Sequence, residues 1–587
     1  MVHRTLDKRG NKRKPLRNET NTKQGLAVSK KTYTLTSSLV LPICAAVLIA
    51  SCTDLVEPVD SQVTAENFFQ TDQQFVSALG DAYSALTIVG GGGSAAQLNE
   101  ATTDEVVVPA RGQDWSEGGF WYRMNSHEWN IEEGTFNGFW QDYFSGVNNA
   151  NRLIFQFESA VEAGSADPDL AATFISELQA MRAFYYYWLL DAFGNVPIVT
   201  SFADAEDNPS QPCSAGPQCF EEGRREVFNF VEQELLANID NLDDNVAGTY
   251  GRMNRYVARM TLAKLYMNAE VYTGTPRWDD ALFHLNEIIN SGQYSLAANY
   301  HDNFATQNEG SPENMFIVPY DKVFLGGMQL AMMTLHYGSQ NTYNFQEQPW
   351  NGWSATQKIY ESVIDPEQNP GPQGEVWGTE PTASDDGLDR IQGTLDDRLG
   401  NFIVGPQYTS GGARIMDSGV FSDFDANGPP LTFTPALNDL EAVACRQCAA
   451  RIGKYEFEPN ITGDNLSNDF VIYRYADVLL MKAEALWRQS PTSDEALALV
   501  NQIRMRSGVD PFGSLDEDRL LAERGREMFW EQVRRQDLIR FDGVEGGETR
   551  YNDPWQFKPV SPAYRNVAPI PRDQLEVNSN LVQNPGY

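Results

Sequence analysis

Apolar and polar residues alternate at helical spacing in two blocks of this chain and lose that period between them. In the first block, Phe68, Phe69, Phe75, Leu79, Tyr83 and Leu86 share one face and predict a helix over 67–88. The run Gly90–Gly93 ends it. No Lys-Ser or Lys-Thr follows, so this is no phosphate loop, and a flexible turn is expected. Helical periodicity returns over 134–163 and 171–193. From Met181 to Phe193 the second of these is apolar nearly all round, which predicts a central packed helix with Tyr185, Tyr186, Tyr187 and Trp188 in the core. Gly194 stops it. Arg182 and Asp191 sit at its polar margins and are expected to bond neighbouring loops. Another helix is predicted over 222–241.

Residues 254–273 and 278–291 form a helical pair around Gly274-Thr275-Pro276. Ala258, Leu262, Leu265 and Ala269 on the first helix face Ala281, Leu285 and Ile288 on the second. Small alanines let the two helices approach closely, as in a tetratricopeptide hairpin. The second block repeats the pattern over 473–488, 493–508 and 515–541, with Pro491 separating the first two. Between the blocks, residues 296–469 are rich in Gly, Pro, Asn and Asp and carry aromatics without period. Long irregular segments on a rigid scaffold are where binding usually resides. The expected fold is mainly α: a tetratricopeptide-like scaffold with a long loop-rich insertion, forming one large globular body.

The N-terminus adds a localisation. Ten Lys and Arg between Arg4 and Lys31 precede an apolar run from Leu39 to Ala50, which ends at Ser51-Cys52. That order reads as an export signal. The run is well short of the ~20 residues a membrane span needs. A cysteine directly after small residues is where a bacterial lipoprotein signal is cut and the thiol acylated, and two or three acyl chains such as palmitate hold a protein on a membrane. The reading divides the chain into 1–51 (export signal), 52–66 (lipidated tether), 67–295 (first helical block), 296–469 (ligand-binding insertion) and 470–587 (second block and tail). The leader holds 10 of the 44 basic residues and 2 of the 80 acidic ones, so the mature chain carries a formal charge of -44. Such a chain repels nucleic acid, whose recognition needs Lys and Arg on phosphates, and avoids bare anionic lipid.

Export permits disulfides. The four cysteines after Cys52 fall in two close pairs, and local staples Cys213–Cys219 and Cys445–Cys448 are expected in long loops. The acidic cluster Asp385, Asp386 and Asp389, with Asp396 and Asp397, is a weak candidate for calcium; its spacing fails the EF-hand pattern, and solvated surface charge is the preferred reading. No other metal and no cofactor is expected.

Four stretches together resemble the SusD/RagB family of nutrient-binding outer-membrane lipoproteins of the Bacteroidetes and their relatives. They are the lipobox at Cys52; Arg182-Ala183-Phe184-Tyr185-Tyr186 running into Phe193-Gly194-Asn195-Val196-Pro197; Tyr473 to Ala485 with Asn501 to Gly508; and Glu523-Arg524-Gly525-Arg526-Glu527 with Asp537-Leu538-Ile539-Arg540, Pro569-Ile570-Pro571 and the terminal Gln583 to Tyr587. Gln532 and Arg535 stand where the family tends to have Gly and Trp, which questions local packing there. The resemblance implies a scaffold of tetratricopeptide-like hairpins. It also implies a TonB-dependent outer-membrane transporter as partner, over which the lipoprotein sits on the extracellular side as a hinged, ligand-capturing lid.

Binding a neutral sugar chain in water needs flat apolar surfaces for the ring C–H faces and amides or carboxylates for the hydroxyls. Two regions offer both. The first holds Trp115, Trp121, Tyr122 and Trp129, with Asn99 and Arg111 nearby. The second holds Tyr343, Trp350, Asn351, Trp353 and Trp377, with Gln346 and Gln348. Trp350 and Trp353 rank highest, because Pro349, Asn351 and Gly352 suggest a surface loop. The resulting expectation is oligosaccharide capture, with peptide capture as the alternative. A glycoside hydrolase is disfavoured: Glu523 and Glu527 lie one turn apart among Arg524, Arg526 and Arg534, and a paired carboxylate is a poor general acid. There is no HExxH motif and no Gly-x-Ser-x-Gly elbow.

Overall fold

Helix ends fall where the side chains dictate. The longer helices of the first block are α1 (Asp72–Tyr83), α2 (Gly134–Glu162), α3 (Pro168–Phe193), α4 (Cys219–Asn238), α5 (Arg255–Met267) and α6 (Trp278–Ser291). Asp167 caps α3 by accepting from the backbone N–H groups of Asp169 and Leu170, and Pro168 presets its first turn. Gly194, at φ 74°, ends it. Asn254 caps α5 in the same way. The computed structural model describes residues 69–587 apart from 112–113, 383–386, 418–427, 442–443 and 545. The leader, Cys52, the whole 52–66 tether, Asp385 and Asp386 lie outside the described residues.

Consecutive helices pack as antiparallel pairs: α2 on α3, α3 on α4, α5 on α6. The second block comprises α7 (Tyr475–Gln489), α8 (Asp494–Arg506), α9 (Glu517–Met528) and α10 (Arg534–Arg540). Helix α7 packs against both α6 and α8, so the stack of hairpins continues straight across the insertion. The described residues all belong to one compact unit. As expected, Tyr185, Tyr186, Tyr187 and Trp188 are buried. Arg182 pairs with Glu234 and donates to the Thr200 carbonyl, while Asp191 accepts from Tyr272 and Arg535.

Two expectations need correction. The helix predicted over 515–541 is broken between α9 and α10, where Trp530 and Gln532 take left-handed φ values of 59° and 61°. The break seats Trp530 in the core and lets Gln532 donate to Glu100 and to the Val89 carbonyl. Gln532 thus holds a backbone conformation that favours glycine, and Arg535 is fixed by Asp191. The run Gly90–Gly93 is a turn, but its glycines serve close approach. A Cβ on Gly90 would lie 2.3 Å from the Tyr320 ring, which is pinned by hydrogen bonds to the Thr87 carbonyl and the Gly90 N–H. Gly90→Ala is expected to cost about 1–3 kcal/mol, read as a lower Tm.

The insertion contributes short antiparallel pairings: β1 (Val106–Val107) with β3 (Ser354–Ala355), β2 (Asn314–Val318) with β10 (Phe470–Arg474), β4 (Gln373–Pro381) with β5 (Leu388–Thr394), β6 (Phe402–Ile403) with β9 (Arg451–Ile452), and β7 (Gly405–Pro406) with β8 (Thr432–Phe433). Tyr473 and Arg474 end strand β10 rather than open α7. The pair β2–β10 is wholly buried.

A buried ionic network bolts the insertion to the second block. Arg398 binds Asp396 (2.7 Å) and Glu523 (2.7 Å), and Glu523 also accepts from Arg504 (2.7 Å) and Arg526 (2.8 Å). Arg474 binds Glu313 (2.7 Å), Glu527 (2.6 Å) and Glu531 (2.7 Å); Glu527 also meets Arg506, and Glu531 meets Lys454. Of the arginines expected around Glu523 and Glu527, only Arg526 pairs there. Arg524 goes to Asp477 and Asp537, and Arg534 to Asp104. Asp396, from the suggested calcium cluster, is spent on Arg398 and Asn369. Asp389 is exposed.

Candidate functional site

The pairing of β1 with β3 brings the 108–126 segment of the first block against the 350–355 segment of the insertion, and Ala355 bridges to Ala450. Arg111 clamps the three strands of chain. Fully buried, it donates to the carbonyls of Asn351 (2.7 Å), Gly352 (2.8 Å) and Cys448 (2.9 Å) and to Ser354 Oγ (3.1 Å). Among the described residues no carboxylate pairs with it, and burial pushes its guanidinium down to about 9. Arg111 is therefore an organiser of the loops and presents nothing to a ligand.

Above this clamp the chain is strained. Trp115 and Asn351 hold φ values of 57°, and Glu117 holds 34°, conformations that non-glycine residues adopt chiefly where surrounding structure enforces them. The Trp115 ring lies on Gly352, where a Cβ would come within 2.2 Å of it. Its Nε1 donates to the Trp350 carbonyl (2.7 Å). Trp115 is half-buried, and with Trp121 and Tyr122 it lines a cleft of about 350 Å³. Asp439, Leu440 and Glu441 complete its lining. The Ala110 N–H donates to the Leu440 carbonyl (2.8 Å), tying the two segments together. Tyr122 packs against the small apolar cluster of Val107, Leu437, Leu440, Cys448 and Ala449. Burial and the charges of Glu128, Glu441 and Asp439 raise its hydroxyl above the ordinary tyrosine value.

The two expected disulfides are present, with Cα separations of 5.2 Å for Cys213–Cys219 and 5.3 Å for Cys445–Cys448. The second staples the loop that carries Asp439 to Glu441. A second cleft, of about 560 Å³, shares that staple. There Asp417 pairs with Arg446 (3.2 Å) and accepts a hydrogen bond from His336 Nε2 (3.0 Å), an imidazole that burial keeps neutral.

Only part of the expected aromatic platform faces outward. Trp129 (1% exposed), Trp353 (0%), Trp121 (5%), Asn99 (1%) and Asn351 (0%) are core residues. Trp121, Trp353 and Trp530 form an edge-to-face chain, with ring centroids 5.1 and 5.3 Å apart, that supports Trp115 from behind. Trp129 donates to the Tyr587 hydroxyl. Tyr343 stacks on Phe345. Trp377 lies under the Arg390 guanidinium, 3.6 Å away, and over Gly405. Neither lines the aromatic cleft. Trp350 is half-buried and reaches the site through its carbonyl, while Gln346 and Gln348 are exposed. Asp439, Leu440 and Glu441 were not anticipated; their place just before the Cys445–Cys448 staple was the available signal.

Hydrolytic chemistry finds no support at Glu523 and Glu527. Both are buried and held low by arginines, Glu527 to about 2. Among the described residues no group of three or more His, Cys, Asp and Glu side chains is arranged to hold a metal ion. Among the same residues no helix is long and apolar enough to cross a membrane.

The SusD family model matches residues 290–587. The starch-binding protein SusD of Bacteroides thetaiotaomicron is 24% identical over 443 residues, covering 70% of this chain and 72% of that protein. A SusD superfamily protein from Parabacteroides distasonis superposes with a TM-score of 0.66 at 19% identity, over 90% of this chain and 100% of that one. Surface glycan-binding protein A from Bacteroides thetaiotaomicron, solved with laminarihexaose, gives 0.60 at 20% identity, over 88% and 100%.

Proposed function

From the premise that this chain belongs to the SusD family, we propose that it is a glycan-binding lipoprotein. It captures oligosaccharide in the Trp115–Tyr122 cleft and delivers it to a TonB-dependent outer-membrane transporter. The observation that carries the reading is a half-exposed indole, locked at a strained φ on Gly352, beside a tyrosine and a carboxylate rim. Such a surface offers a rigid apolar face to sugar C–H groups and charged acceptors to hydroxyls, at little cost in side-chain entropy. Relatives that are named as starch- or glycan-binding, one of them solved with laminarihexaose, support the ligand class.

Acylation at Cys52, after the apolar run Leu39–Ala50, would hold the protein on the outer face of the outer membrane. Capture needs no turnover, and the pure protein is expected to release no reducing ends from the glycan it binds. The test is affinity electrophoresis of the exported chain through gels containing laminarin, starch, xylan or mannan. Retardation by at least one is expected. Trp115→Ala should weaken that binding roughly 30-fold, the effect of removing a central aromatic anchor. A Trp115→Ala protein that stays folded and binds as tightly as the parent would remove the cleft from the proposal.

A further inference from the structure

Resting on that reading, we infer that the cleft selects an uncharged glycan chain and rejects chains that carry uronate or sulfate. The inference comes from the charges around the aromatic surface. Asp439 is half-exposed and Glu441 exposed, and no Lys or Arg lines the cleft among the described residues. Glu128 adds a third carboxylate to the electrostatic surroundings of Tyr122.

The nearby cations are already spent. Arg123 gives two hydrogen bonds to Glu133 (2.6 and 2.9 Å) and one to the Gly118 carbonyl (2.7 Å). Arg111 is sealed beneath the floor on carbonyls. Lys558 is buried and donates to the carbonyls of Asp553 and Pro559. An anionic sugar would therefore lose water without gaining a charge-assisted partner. It would also enter the field of a strongly acidic chain. A neutral sugar meets the same carboxylates as acceptors for its hydroxyl pairs. Asp439 is suited to this, since its Oδ1 accepts from the Glu441 N–H (2.9 Å) and so fixes the turn, leaving Oδ2 for a ligand.

Two or three carboxylates within several ångströms of one ligand charge should disfavour it about tenfold at low ionic strength. Salt near 0.5 M should shrink that ratio to a few-fold. The test uses matched polymers: laminarin, laminarin oxidised at C6 to the glucuronate, and the methyl ester of the oxidised polymer. A panel of xylan, mannan, starch, alginate, polygalacturonate and carrageenan runs beside them. The parent protein, Trp115→Ala and Asp439→Asn/Glu441→Gln are compared at 20 and 500 mM NaCl.

The expected result is Trp115-dependent retention by neutral polymers only. Oxidation should weaken binding about tenfold at 20 mM NaCl and esterification should restore it. In Asp439→Asn/Glu441→Gln, whose changes lie at the surface and keep the side-chain shapes, the gap should close from the anionic side. Trp115-dependent retention by an anionic polymer, or a gap that the double variant leaves unchanged, overturns the charge selectivity while leaving glycan capture intact. Retention independent of Trp115 overturns the cleft as its seat. Retention by no polysaccharide at all overturns glycan capture itself.

Discussion

Glu527→Ala is expected to cost about 3–5 kcal/mol, enough to lower the Tm sharply and to sharply reduce yield of folded protein. Glu527 lies on α9, fully buried, and its carboxylate meets Arg474, Arg398 and Arg506. Those arginines come from the end of β10, from the segment after β5 and from the end of α8, so one side chain joins the insertion to helices α8 and α9 of the second block. Removing it takes one carboxylate from Arg474, Arg398 and Arg506, which keep Glu313, Glu531, Asp396 and Glu523 between them, and the shortfall of negative charge in a desolvated interior is what makes the loss expensive. Relative to a well-packed apolar core the network contributes far less than that, because desolvation of its members offsets much of the attraction. The loss arises from leaving partners behind. Glu495→Ala is the control. Its carboxylate is 58% exposed and pairs with Lys482 at 2.7 Å, and such surface pairs contribute only about 0–1 kcal/mol. Thermal unfolding of both variants beside the parent checks the contrast. Equal Tm losses would show that the buried network does not hold the insertion in place.

The scaffold was legible because helix-forming stretches carry their own boundaries. Trp278–Ser291 matches the predicted span, and Asn254 and Ser493 sit at the caps of α5 and α8. The site was only partly legible, and Trp350 and Trp353 show why. Pro349, Asn351 and Gly352 do signal irregular backbone, but irregular backbone is not the same as exposed side chain. Arg111 satisfies the carbonyls of Asn351 and Gly352 from within, and that allows the loop to turn Trp353 into the core between Trp121 and Trp530. Nothing local to Trp353 encodes Arg111, which lies far away in the chain. The β4–β5 hairpin was missed for a related reason: its positions are mostly exposed or half-buried, so no clean alternation of apolar and polar residues marks it. Among 80 acidic residues, Asp439 and Glu441 were marked only by their place just before the Cys445–Cys448 pair, and it took the fold to bring them to one cleft with Trp115 and Tyr122.

Glu100→Gln is expected to make the protein more resistant to heat at pH 8 while changing little at pH 4.5. Glu100 lies between the short helix Ser94–Asn99 and β1, where it accepts from the Gln532 N–H, and among the described residues its Oε2 has no hydrogen-bond partner. Its carboxyl is pushed up to about 8, chiefly by burial, with the Gln532 N–H and the Lys454 ammonium opposing. In the unfolded chain the same group releases its proton near the ordinary glutamate value, about 4.3. Between those two values the native protein keeps a proton that the unfolded chain has lost, so rising pH draws stability out of the native state. The contribution is fully present below about pH 4.3 and is lost by about pH 8, above which both states are ionised and the difference stays constant. Glutamine keeps the shape and the acceptor for Gln532 but carries no charge at any pH, so the variant escapes this loss. Neighbours that titrate in both proteins, among them Glu105, which is also raised, and Lys454, which is lowered to about 8, largely cancel in the comparison. The Tm difference between variant and parent should therefore grow from near zero at pH 4.5 to a few degrees at pH 8, and then level off. A difference that is flat across that range would mean that Glu100 is ionised in the folded protein, and that the turn at Gln532 is held by a buried charge.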